Sequence, residues 1–274
     1  MRPVIVCSRS SSRNPRIRLT SLLLAASLAP LAATPARAQS DRYSVQRNAQ
    51  VSAAGATSIR IENGSGRLVI RGKAGAASVS ATALIRGSSQ SVVNAAQLVA
   101  ERNGGVITVR VDSPKRGWFD GGWSADLTVE VPSDVQLSVR DGSGGVRIDD
   151  VGALDLTAGS GGARVNNVSG GVDMRIGSGG AHLQNVRGDV ALSTGSGGIT
   201  IEGVTGSVNV RRAGSGELNI SHVTGSLHLG AIGSGSLTAD GIGGDLTVDH
   251  KGSGSVEYSN VKGRVQVPSR GRHW

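Results

Sequence analysis

The stretch GSGGVRIDDV, residues 142–151, reads at first as a glycine-rich loop able to cradle a phosphate through its backbone N–H groups. It does not stand alone. Ser160, Ser178, Ser196, Ser215, Ser234 and Ser253 sit in the same Gly-Ser-Gly setting as Ser143, at successive spacings of 17, 18, 18, 19, 19 and 19 residues. None of the copies opens a helix, and no lysine stands where a nucleotide-binding loop requires one. A feature repeated seven times at a near-constant period is architecture before it is a site.

Stacking the units shows what repeats between the joints. GSGGARVNNVSGGVDMRI (159–176) is representative: two short runs alternate apolar with polar residues, the period-two pattern of half-buried strands, and neither run has the length of a helix. Five apolar columns follow. The first strand supplies Val146, Ala163, Ala181, Ile199, Leu218, Leu237 and Val256, then Ile148, Val165, Leu183, Ile201, Ile220, Ala239 and Tyr258. A corner column runs Val151, Val168, Val186, Val204, Val223, Ile242, Val261. The second strand gives Leu154, Val172, Val190, Val208, Leu227, Leu246 and Val265, then Leu156, Met174, Leu192, Val210, Leu229, Val248 and Val267. No charged residue interrupts any of the five.

The turns carry matching chemistry. Asp150, Asn167, Asn185, Gly203, His222, Gly241 and Asn260 precede the corner, and these are residue types that tolerate left-handed backbone angles. Gly170, Gly188, Gly206, Gly225, Gly244 and Gly263 follow it and are expected to permit a second bend. The joint serines are expected to stack as a hydroxyl ladder. The whole predicts an all-β fold: a single-stranded parallel β-helix, or β-solenoid, of about 17–19 residues per coil with a less regular N-terminal part. At about 4.8 Å per coil, seven coils make a rod segment of roughly 30 Å.

Outside the array, residues 1–38 read as a secretory signal peptide. Arg2, Arg9, Arg13, Arg16 and Arg18 precede an apolar run, and Ala36 and Ala38 occupy the small-residue positions of a cleavage site. Removing them takes six of the 29 basic residues and none of the 20 acidic ones, so the formal charge falls from +9 to +3. That modest balance, with few aromatics and no basic stripe, argues against nucleic acid. Cys7, the sole cysteine, leaves as well, which excludes disulfides and thiolate chemistry in the exported chain. No transmembrane segment is expected after cleavage.

Residues 39–141 read as an irregular N-terminal solenoid or capping part, residues 142–267 as the regular array and residues 268–274 as a tail. TSIRIENGSGRLVIRG (57–72) already has strand, joint and strand, with Ser65 at the joint, and Ser89–Ala96 has helical character. Pro268, Arg270 and Arg272 are placed to blunt the open end of the array.

The order of these features carries a resemblance. IENGSGRLVIRG, then an aromatic loop before LTVEVPSDVQL, then tandem Gly-Ser-Gly units resembles the adhesin-type β-strand-repeat family of bacterial envelope proteins, a domain of unknown function. The resemblance implies an extracytoplasmic β-helix and brings no catalytic residues with it.

Candidate chemistry is sparse. Calcium-binding repeats need an aspartate at one fixed place per unit, but Asp149, Asp173, Asp189 and Asp245 fall at different places. The histidines share no metal-ligand spacing, so no metal and no cofactor are expected. Asp155 and Asp173 stack one coil apart and read as paired carboxylates or as two solvated acids. The outward column Arg147, Arg164, His182, Thr200, Asn219, Thr238, Glu257 drifts in chemistry. The aromatic stretch is the expected contact surface: Trp118, Phe119 and Trp123 beside Lys115 and Arg116, either binding a partner or packing over the first coils. The expected function is a non-catalytic exported protein of the periplasm or cell surface, an adhesin-like or scaffold β-solenoid binding an envelope glycan or protein. A polysaccharide-acting β-helix enzyme and a self-assembling rod remain the alternatives.

Overall fold

Two strands per repeat unit become two sheets. The computed structural model describes residues 43–112 and 122–268; the expected leader, the tail beyond Pro268 and residues 113–121 lie outside the described residues. A compact unit, Ala38–Trp274, contains every described residue. Its strands form two eleven-stranded sheets, and each coil of the array gives one strand to each. The first strand of every unit joins the first sheet, from Val146–Val151 through Ala163–Val168 to Val256–Val261. The second strand joins the second sheet, from Leu154–Ser160 to Val265–Gln266. All these pairings are parallel and in the register drawn from the sequence: Val146 opposes Ala163, Ile148 opposes Val165, and Val151 opposes Val168.

The core lies between the sheets, where the inward columns meet. Ile148, Val165, Leu183, Ile201 and Ile220 are all buried, as are the corner valines Val151 to Val223. Burial fails only at the last unit, where Tyr258 stays in register beside Ala239 yet is 51% exposed because no described coil covers it.

The front end differs from a simple continuation. The coil Ser58–Ser65 with Leu68–Lys73 stacks directly on the first regular coil, Ser65 opposite Ser143 and Leu68 opposite Val146. The next coil outward is Val106–Asp112 with Trp123–Pro132, although it comes later in the chain. After Pro132 the chain therefore steps over a whole coil to begin Gln136–Ser143. Antiparallel strands finish both sheets: Ser78–Gly87 and then Tyr43–Ser52 on the first, Gln97–Asn103 on the second. The expected helical stretch is the helix Gln90–Ala95, with the Ser89 hydroxyl accepting from Val92 N–H at its start and Val92 and Val93 buried.

The turns obey two different rules. Asp150, Asn167, Asn185, His222 and Asn260 have φ between 54° and 60°, so the corner is left-handed as expected. The glycines after the corner are not left-handed, which corrects the expected reason for them. A Cβ on Gly188 would lie 2.7 Å from the Gly170 carbonyl, so glycine is required there by the approach of the next coil. The joint combines both demands: Gly144 has φ of 142°, and a Cβ there would meet the Gly66 carbonyl oxygen at 2.0 Å. The joint serines stack, but among the described residues no hydrogen bond links one of their hydroxyls to the next. The expected hydroxyl ladder is a backbone ladder, as in Ser178 N–H to Gly159 O and Ser196 N–H to Gly177 O.

A sixth inward column, just before each joint, escaped the sequence reading: Asn63, Asp141, Ala158, Ile176, Thr194, Ala213, Ile232 and Lys251. Asn63 and Asp141 are each only 5% exposed. Asn63 Nδ2 donates to Asp141 Oδ1 at 2.8 Å and to the Gly66 carbonyl at 3.1 Å. Asp141 Oδ2 and Asn63 Oδ1 have no partner. Burial pushes the Asp141 pKa up, and the Asn63 hydrogen bond opposes it only in part.

Two predictions follow from the core. Val186→Asp places an unpaired charge at a position 1% exposed and should lower unfolding free energy by at least about 4 kcal/mol in denaturant melts. Asp141→Asn should do the opposite at neutral pH, adding about 1–3 kcal/mol by removing a buried charge with an orphaned oxygen. A carboxyl whose pKa is raised by folding loses stability as pH climbs from the ordinary aspartate range through the raised value. The gain of Asp141→Asn over wild type should therefore shrink as the medium is acidified below that range, which melts across pH will show.

Candidate functional site

Because inward positions are committed to packing, any site must lie on outward positions, at the corners or at the ends. The outer face of the second sheet carries the carboxylates singled out from sequence. Asp155 and Asp173 do face each other across adjacent strands, but arginines separate them. Arg175 reaches Asp155 at 3.4 Å and Asp173 at 3.2 Å, and Arg211 binds Asp173 at 2.8 Å. The hydrogen bond from Arg211, with the Arg175 and Arg211 charges, holds the Asp173 carboxyl below the usual carboxylate range against a smaller push from burial. A carboxylate held ionised does not serve as a general acid. The pair is an ion network.

Asp189, Asp245 and Asp249 are similarly occupied. Asp189 Oδ1 accepts from Ser207 N–H at 2.8 Å and Asp245 Oδ1 from Arg264 N–H at 2.7 Å, so both tie one coil to the next. His228 bonds Asp249 at 2.9 Å. Among the described residues no three histidine, cysteine or acidic side chains gather as a metal site.

Along the corner runs a groove of about 730 Å³, bordered by Asn167, Asn185, Arg187, Thr205 and His222. Its amides already serve each other: Asn185 Nδ2 donates to Asn167 Oδ1 at 3.0 Å, and Asn167 Nδ2 to Asp150 Oδ1 at 2.9 Å. That ladder steadies the left-handed corner and leaves fewer groups for a ligand.

A second groove, about 750 Å³, crosses the outer face of the first sheet over five coils. Its floor is Gly145, Gly162, Gly180 and Gly198, and its sides carry Arg67, Arg71, Arg147, Arg164 and His182. Arg147 bonds Asp149 at 2.7 Å. Burial pushes the Asp149 carboxyl up, but bonds from Arg147 and Asn166 and the charges of Arg147 and Arg71 outweigh it, so it lies below its usual value. The sequence showed Arg147, Arg164 and His182 as one column. It did not show Arg67 and Arg71 beside them, because the coil that carries these two is 75 residues or more upstream and its place in the stack is set by tertiary pairing.

Of the expected contact residues, Trp118, Phe119, Lys115 and Arg116 lie outside the described residues. Trp123 begins the strand Trp123–Pro132, half-buried and packed against the core, and its carbonyl accepts from the Ser65 hydroxyl at 3.1 Å.

Residues 56–269 match the family described as Toastrack DUF4097. No curated protein matches the chain. Among solved structures it is similar to a candidate adhesin from Bacteroides fragilis NCTC 9343, at 16% identity and a TM-score of 0.50 over 82% of this chain and 97% of that one. It is also similar to a candidate lipid-binding protein from Parabacteroides distasonis ATCC 8503, at 16% identity and 0.44 over 80% and 98%. A candidate cell-adhesion protein from Clostridium sporogenes ATCC 15579 stands at 11% and 0.34 over 79% and 99%. The Bacteroides likeness supports the fold, and the two lower scores carry nothing further.

The packing of Trp123 makes its own prediction. Trp123→Ala removes a half-buried ring from the core edge and should lower stability by about 1–2 kcal/mol, less than the full loss expected for a wholly buried tryptophan. A thermal melt should show a fall of several degrees.

Proposed function

The chain belongs to the Toastrack DUF4097 family, and from that premise we propose that it is a non-catalytic, exported envelope protein whose β-solenoid is an adhesin-like scaffold for a glycan or protein partner. One observation carries this reading. The concavity on the first sheet is an open trough lined mainly by arginines and glycine backbone, and the one carboxylate in it, Asp149, is bonded to Arg147 instead of standing free as an acid or base. Such a surface holds an extended ligand without water exclusion or proton transfer, the two things a hydrolytic site requires. The ion network at Asp155 and Asp173 supports the same reading, since its carboxylates are neutralised by Arg175 and Arg211.

The residues Trp118, Phe119, Lys115 and Arg116 are proposed as a second contact surface, with Trp123 as its anchor in the fold. A self-assembling rod is the remaining reading, and the exposed Tyr258, at the end of the columns that no described coil covers, favours it. Size-exclusion chromatography separates them: a scaffold elutes at a fixed size, and a rod grows with concentration.

The direct test is capture by the immobilised chain, residues 39–274, from isolated envelope polysaccharides and isolated envelope proteins. Capture should be retained without release of shortened oligosaccharides. A Trp118→Ala/Trp123→Ala variant should lose part of it if the second surface contributes. Release of soluble sugar products would overturn the non-catalytic reading.

A further inference from the structure

At Gly145, Gly162 and Gly198 the fourth residue of the joint has no packing reason to be glycine. Gly142 and Gly144 do: a Cβ on either would strike a carbonyl oxygen of the neighbouring coil at 2.4 and 2.0 Å. Gly162 is different, with right-handed or extended backbone and no heavy atom within 4 Å of where a Cβ would sit. Gly145 and Gly198 would meet one carbonyl oxygen each, at 3.9 and 4.0 Å, which is ordinary contact, and Gly180 one at 3.2 Å. The fold itself accepts side chains at this register, because the equivalent positions of other coils are Arg67, Glu217, Ser236 and Ser255. Gly145, Gly162 and Gly198 thus lack a side chain that the packing would allow, and Gly180 between them is the tighter position. The result is a bare trough about 14 Å long, three strand spacings.

The charges beside it are only partly compensated. Arg86, Arg110, Arg140, Arg175 and Arg211 all pair with carboxylates. In the trough only Arg147 does, with Asp149, while Arg67, Arg71 and Arg164 make no ion pair among the described residues. Four guanidinium groups thus face one carboxylate. The sign reverses farther along the same sheet, where Glu202, Glu217, Asp240 and Glu257 take outward positions, so the basic region ends on that side of the floor.

We propose that this trough binds a linear acidic polysaccharide, its sugar rings lying on the glycine floor and its uronate carboxylates held by Arg67, Arg147 and Arg164. The inference deepens the proposed glycan-binding function and rests on it. A guanidinium presents two parallel N–H donors to a carboxylate, and the side chains are repeated at the rise of one coil, close to the advance of one ring in an extended glycan. The trough lacks what other occupants need. No phenylalanine, tyrosine or tryptophan lines it for stacking nucleobases or stands out from it as the anchor of a protein interface.

The test uses residues 39–274 and a labelled oligogalacturonate, followed by fluorescence anisotropy. Binding should weaken as salt screens the arginines. Arg164→Glu should lower affinity at least tenfold, and Gly162→Leu, which fills the floor, should do the same while melting at the wild-type temperature. Arg60→Glu makes the same charge change on the second sheet and should bind as wild type. Methyl-esterified oligogalacturonate, the same chain without its charges, should not bind. Equal affinity for that ester or for single-stranded DNA, or binding indifferent to Gly162→Leu, would overturn the proposal. So would a dimer that Arg164→Glu dissociates, because the trough would then belong to a second copy. If the chain captures an envelope component whose binding ignores Arg164→Glu and Gly162→Leu, this inference fails and the proposed function stands.

Discussion

The structure depends on close backbone contact between coils, and the Gly-Ser-Gly joint is where that contact is tightest. Each coil must reverse direction there and still bring its N–H and C=O groups to the coil on either side, as in Gly144 N–H to Ser160 O at 3.1 Å and Gly66 N–H to Ser143 O at 3.2 Å. Unpaired backbone groups are too expensive to leave between stacked coils, so the joint cannot be loosened to admit side chains. A Cβ on Gly161 would overlap the Gly144 carbonyl oxygen at 1.7 Å. Glycine at these positions is a requirement of stacking, and stacking in turn sets the register in which Val146, Ala163 and Ala181 form one column.

That constraint divides the chain into residues that are determined and residues that are free. Inward positions answer to packing at the spacing of the coils, and the corner answers to left-handed geometry at Asn167 and Asn185. Outward positions answer to neither, apart from local ties such as Asp189 accepting from Ser207. Hence the outward columns differ from coil to coil while the inward ones stay apolar. On the second sheet that freedom is used for ion pairs around Asp173. On the first sheet it leaves arginines beside a bare floor, and this is where the solenoid can acquire specificity.

Most of the array was legible in the sequence because one physical rule generates it. A period of 17–19 residues with two alternating runs admits few other folds, and the five columns appear in the structure at their drawn register. Three things were not legible, each for a physical reason. The sixth column was hidden because Asn63, Asp141, Thr194 and Lys251 break its apolar pattern, though all share the place before the joint. The stacking order was hidden because strand patterns define coils without saying which coil lies on which, and the chain steps over residues 58–73. The trough was hidden because Gly145 belongs to the same four-letter motif as Gly144, and only the coordinates separate a glycine that must be there from one that need not. Of the contact residues expected from the sequence, the described residues include only Trp123, whose ring packs at the core edge.

The buried pair Asn63 and Asp141 has a use in that hidden order. A chain of similar units offers several nearly equivalent surfaces on which the coil of residues 58–73 could stack, since the inward residues of each are apolar and of similar size. At the position opposite Asn63, however, the units differ: Asp141 in one, Ala158 and Ile176 in the next two. Only Asp141 accepts a hydrogen bond from the Asn63 amide. Against Ala158 or Ile176 that N–H would be buried without a partner, at about 1–3 kcal/mol. A slip of one residue within the strand is worse, because it turns Ile59 and Ile61 out to solvent. The pair leaves two oxygens unsatisfied, so it lowers the stability of the native stack, but it lowers that of a stack against Ala158 or Ile176 more. In a fold built from near-identical coils, a polar pair at one seam tells the front end which coil to lie on.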